Sequence, residues 1–293
     1  MQSNNPVFRN SDEFNGRNAY GNQTHSGNGA AYPGYGAPAS GTATDPSSWS
    51  TGSPTHTETS SRPMTIDSVV MATAASFGVV LVAAVLTWLW IGDVTTNSTI
   101  GAQQNASQLM TAVLLGSGVA FVLSLVNSFK RVISPALVLV FCAAEGVALG
   151  GVSKLFEVLY SGIVMQAVLG TFGAFAGTLA AYKFFDIKVG QKFRTFVIAG
   201  VFGMVGLSVL SLVLGLFGVD TGLFGFGALG LLMAVAGLVL GIFMLILDFD
   251  FVENGIRAGL PERESWRAAF GLTVSLVWIY TNLLRILAIM RGD

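Results

Sequence analysis

The sequence predicts an all-α polytopic membrane protein, a bundle of seven transmembrane helices behind a disordered N-terminal tail. Seven apolar stretches of spanning length follow one another between Ile66 and Met290. A hydrocarbon core ~30 Å thick needs roughly 20 residues of helix, so each stretch is long enough to cross. Of the 293 residues 52% are hydrophobic and 11% charged. Soluble domains carry roughly 25% charged residues, so this chain lacks the polar surface to stay in water. Its mean hydropathy of +0.66 agrees. Isolated strands would leave backbone groups unsatisfied in lipid, so the spans are helices.

The chain divides near Arg62. Residues 1–62 are rich in Gly, Ser, Thr, Asn and Tyr, have no lysine, and hold too few apolar side chains to offset the entropy of ordering. They read as a disordered cytoplasmic tail, a solvated tether whose scattered tyrosines offer only weak interactions. No basic segment precedes an apolar core there, so a cleavable signal peptide is not expected. Residues 63–293 form the transmembrane domain. Thr65 can cap the first helix, with Asp67 in its first turn beside the positive end of the dipole. The spans fall at roughly 66–91, 107–128, 134–153, 163–183, 195–217, 227–251 and 268–290.

Orientation follows from the loops. Arg62, Lys130 and Arg131, then Lys183, Lys188, Lys192 and Arg194, then Arg257, Arg263 and Arg267 all fall on one side; the other side offers only Lys154 and Arg291. The positive-inside rule puts the tail in the cytoplasm and the C-terminus outside, as seven crossings require.

Several motif matches carry little. Gly225, Gly227 and Gly230 spell a G-x-G-x-x-G, but they enter a span and follow no βαβ strand. Asn97 and Asn105 head glycosylation-like triplets on the expected outer loop, meaningful only in a secretory pathway. Hydrolase, zinc-protease and P-loop motifs are missing, and both histidines, His25 and His56, lie in the tail. An enzyme is not expected, nor a cofactor. Cys142 is the one cysteine, so no intrachain disulfide can form. The net charge of -1 says little about partners, and no nucleic-acid partner is expected.

The informative residues are polar groups inside spans. On helix six, Gly227, Gly230, Ala234, Gly237, Gly241, Met244 and Asp248 recur at steps of three and four and share one face. Small residues in such a stripe let helices approach, so the face and Asp248 should point into the bundle. Asp250 lies about 200° round the helix, shares its face with Glu253, and should look toward the cytoplasmic headgroups. Helix seven carries Gly271, Ser275, Trp278, Asn282 and Arg285 in the same pattern, which argues for an inward Arg285. Glu145, near the middle of helix three, is costly as a charge unless paired, so it is protonated or faces Arg285 or water. Gln166, Gly170, Gly173 and Gly177 give helix four a comparable stripe, and Ser117, Ala120, Ser124, Asn127 and Arg131 give helix two another. Arg131 is the candidate counter-ion of Asp248. Buried ionisable groups in spans mark ion paths by default, while the plainer account is interhelical hydrogen bonding that fixes packing.

The segments AAEGVALGG on helix three, LILDFDFVENG at the end of helix six and SLVWIYTNLLRILAIM on helix seven resemble the Bax-inhibitor family. The MTIDSVV start after a tail resembles its bacterial branch with an N-terminal extension, and the likeness covers about residues 64–290. The resemblance implies a pH-sensitive calcium leak channel in a bacterial plasma membrane, in which an acid on helix six and an acid on helix seven share a proton and close the pore. Asp248 matches the first acid. Asn282 stands where the second is expected, with Arg285 one turn later. A lone acid beside an amide cannot titrate as a coupled pair, so either Asp248 pairs with Glu145 or Asp250, or this member has lost that switch. Asp250 then serves as a second cation ligand. Ion path or gate residues are therefore Asp248, Asp250, Glu145, Asn282, Arg285 and Arg131, with the lipid bilayer and transported calcium as partners. The resemblance also allows a non-conducting adaptor that binds a membrane protease or stress-response partner. A secondary transporter would need paired inverted repeats, which the seven spans do not show.

Overall fold

A computed structural model describes residues 62–92, 99–219 and 221–292, without the side chains of 99–102. The tail expected over residues 1–62, apart from Arg62, lies outside the described residues, as does Asn97. Seven helices follow in order: α1 (Ile66–Ile91), α2 (Thr99–Phe129), α3 (Pro135–Leu159), α4 (Ile163–Phe184), α5 (Gln191–Leu216), α6 (Ala228–Arg257) and α7 (Glu264–Gly292). Each is long and apolar enough to cross a membrane, and no strand occurs among the described residues. The chain is an integral membrane protein.

Local chemistry sets the helix ends. Thr65 caps α1: its hydroxyl accepts the Ser68 N–H at 3.1 Å while the Ser68 hydroxyl accepts the Thr65 N–H at 3.0 Å. Pro135 opens α3, where its missing N–H would have been unpaired anyway. The Glu157 carboxylate, near the end of α3, accepts the Gly162 N–H at 2.6 Å and the Val164 N–H at 3.2 Å, supplying α4 with the cap its glycine lacks.

Four expected boundaries move. α3 runs to Leu159, and α6 and α7 extend to Arg257 and back to Glu264, leaving only residues 258–263 between them. Hydropathy ends where the charges begin, but the helices do not: Arg257 pairs with Glu253 one turn earlier, and Arg267 with Glu264 at 2.7 Å. α2 begins at Thr99, so Asn105 is helical rather than part of an outer loop and packs beside Gly92 at the end of α1.

α7 is the hub, packing against α1, α3, α4 and α6; α3 is also covered by α1 and α2, while α5 touches α6 alone. Phe141 of α3 meets Phe270 of α7 edge-on at 4.9 Å, and the Ser153 and Tyr280 hydroxyls join the same helices at 2.6 Å. Outward faces are apolar: Leu89, Phe129 and Leu216 are 70%, 84% and 81% exposed, a surface suited to lipid and not to water. The glycine stripe expected on α4 does not set its inward face, which is instead Ile163, Ala167, Thr171 and Thr178. Gln166, Gly173 and Gly177 are exposed, because a helix apolar all round can turn any side to its neighbours.

Candidate functional site

The stripes of α6 and α7 face each other and zip together along the whole antiparallel pair. At the end nearest the 258–263 connection, the Ser275 hydroxyl donates to Asp248 Oδ2 at 2.5 Å, and Asp248 Oδ1 sits 2.8 Å from where a side chain on Gly271 would begin. One level further, the Trp278 indole N–H donates to the Gly237 carbonyl at 2.8 Å, and the ring edge covers Gly241. Asn282 fills the space left by Gly237 and donates from Nδ2 to the Trp278 carbonyl at 2.8 Å. At the far end Arg285 Nη2 donates to the carbonyls of Leu223 and Gly225 at 2.9 and 3.2 Å, with its guanidinium 5.2 Å from the Phe224 ring.

Four expected contacts are corrected by this geometry. Arg131 is exposed and is not the counter-ion of Asp248, since α2 does not reach α6; its carbonyl instead accepts from Arg267 Nη2 at 3.0 Å. Asp250 does not look toward the headgroups. It is 8% exposed and paired with Arg194 at 3.4 Å, because α4 and α5 cover that flank of α6. Arg285 does not meet Glu145, its guanidinium being drawn to the carbonyls of the connection before α6. Asn282 does not face Asp248. It lies seven residues beyond Ser275, roughly 10 Å further along the helix, and Ser275 occupies the facing position.

Sequence reasoning missed Arg194 and Tyr182, whose hydroxyl donates to Glu253 at 2.6 Å and links α4 to α6. Their signal was available: both stand in the positively charged turn around α4 and α5, on the side where Asp250 and Glu253 end. Glu145 is partly buried and lines a cleft of about 310 Å³ formed with α2 and α7. The sequence-selected residues therefore do not form one site: Asp248, Asn282 and Arg285 lie in the seam, Glu145 in the cleft that Trp278 also borders, and Asp250 and Arg131 in neither.

A family model described as Bax inhibitor 1 like matches residues 5–292. The chain belongs to the Bax inhibitor 1 like family. The match begins near the start of the chain, well before residue 64, where the likeness read from motifs begins. Comparison with curated proteins gives no match. Within the family frame, a hydroxyl at Ser275 now meets the helix-six acid where the resemblance implied a second carboxylate. The seam holds one acid, one hydroxyl, one amide and one guanidinium, each with a partner, and this arrangement can close a polar path between α6 and α7.

Proposed function

We propose that the protein is a non-enzymatic calcium-permeable leak pathway, with Asp248 as its cytoplasmic gate and Glu145 as a separate cation or proton site within the membrane. The observation that carries this is the Asp248 carboxylate, held inside the helix seam by Ser275 and not spent on an ion pair among the described residues. Carboxylate oxygens suit calcium, and a path with few of them binds weakly enough to release the ion. Protonation gives the gate its pH dependence: an ionised Asp248 accepts the Ser275 proton, whereas a carboxylic acid is itself a donor, so the bond that closes the seam rearranges. The charge asymmetry of the connections supports a cytoplasmic N-terminus and an outer C-terminus, and the family resemblance supports a bacterial plasma membrane.

Purified protein in calcium-loaded liposomes tests the proposal. Calcium release above that of empty vesicles is expected, with a pH dependence that Asp248→Ala alters; release equal to the empty control would overturn it. The filled seam favours one other reading, an adaptor for a membrane protein partner that uses the uncovered sides of α5, which meets only α6. In that case removing residues 1–61 or altering α5 abolishes partner co-purification and Asp248→Ala does not.

A further inference from the structure

We propose that the gap between α2 and α7 binds a lipophilic amine that enters sideways from the bilayer and places its ammonium on Glu145. α2 packs on α3 and touches α1 but does not reach α7, and the space left between them is the 310 Å³ cleft, with α3 as its back wall. Ser117 and Phe121, on the α2 side, are exposed on the lipid-facing surface, so the cleft opens into hydrocarbon and not toward an aqueous end. Its volume is at the lower end of the roughly 300–1,000 Å³ of ligand pockets.

The polar groups in the cleft select a donor. Ser124 spends its proton on the Phe121 carbonyl at 2.8 Å, and Thr281 spends its own on the carbonyls of Val277 and Trp278 at 3.0 and 3.1 Å. The Trp278 N–H is likewise taken, by Gly237. Ser124 and Thr281 therefore turn only acceptor lone pairs to the cleft, while Ser117 can donate or accept, beside a carboxyl group that no Lys or Arg among the described residues pairs with. A phosphate would bring further negative charge to the carboxyl group and find only Ser117 to donate to it. An ammonium brings two or three N–H donors and a positive charge that favours the ionised form of Glu145, while Phe121, Phe141 and the valines of α7 accept its alkyl chain. The site does not depend on conduction and stands equally in an adaptor.

The test is equilibrium binding of radiolabelled dodecylamine to the full chain in nanodiscs of zwitterionic lipid, with empty nanodiscs as background and unlabelled dodecanol as the neutral competitor. Saturable binding is expected, displaced by dodecylamine and poorly by dodecanol. Glu145→Gln should weaken it roughly tenfold or more, the scale of one charge-assisted hydrogen bond. Ser124→Phe, which fills the cleft and leaves the acid in place, should abolish it even if the first variant cannot be purified. Asp186→Asn, which removes an exposed charge paired with Lys188, should leave it unchanged. Binding no greater than in empty nanodiscs, equal displacement by dodecanol, or indifference to both cleft variants would each overturn the proposal.

Discussion

Ser275 is the residue on which the α6–α7 seam turns. It is 1% exposed and its hydroxyl has a carboxylate to donate to, so Ser275→Ala strands a buried acceptor and should destabilise the fold by about 1–3 kcal/mol, read as a lower thermal midpoint in detergent. Ser275→Asp does something different: it sets two carboxyl groups against each other, whose protons then come off in coupled steps. Calcium release from liposomes should spread over two steps in that variant, the second at higher pH than in the parent, and an unchanged profile would show that the seam does not gate. The register behind this was legible in the sequence once the turn is placed. Asp248 precedes Leu260 by 12 residues and Gly271 follows it by 11, with Ser275 one turn further on, while Asn282, at 22 residues beyond, matches Gly237 at 23 before. Placing the helix ends by hydropathy overestimated the connection and obscured that symmetry.

Between elements, backbone approach and not side-chain chemistry fixes α1 against α3. A Cβ on Gly150 would lie 2.6 Å from the Ala84 carbonyl oxygen and 2.9 Å from Thr87 Cβ, and one on Gly146 would lie 2.7 Å from Ala83 Cβ. Gly146→Ala and Gly150→Ala should therefore each push the helices apart and destabilise by roughly 1–3 kcal/mol. Gly173→Ala, with nothing within 4 Å, should be neutral or stabilising by up to about 1 kcal/mol through helix propensity. Thermal unfolding of the three variants side by side separates packing from propensity. That contrast also explains what could be read in advance. Seven spans were evident because apolar length is a one-dimensional property, and the α6 and α7 stripes faced inward because each mixes small residues with polar groups that lipid would not accept. On α4 glycines alone carried no such constraint, so Gly173 and Gly177 ended outside.

At the scale of the molecule, the chain entering α1 is fastened to the connection between α6 and α7. Met64 N–H donates to the Leu260 carbonyl and Glu262 N–H to the Arg62 carbonyl, both at 2.7 Å, and Met64 is buried against Gly255. The strap and the Asp248 end of the seam thus share one side of the membrane, the side that also carries Lys130, Lys188 and Arg194. In the orientation proposed from the positive-inside rule, that side is the cytoplasmic one. The chain is suited to a direct check, because its only cysteine, Cys142, is buried in α3 and silent to a membrane-impermeant thiol reagent. Asp186→Cys, in the exposed turn between α4 and α5, should be labelled only in inverted vesicles; Ser161→Cys, in the turn between α3 and α4, should be labelled only in intact cells. The opposite pattern would reverse the molecule and move Asp248 to the outer mouth, where a gate would answer to the pH outside the cell instead of the pH within it.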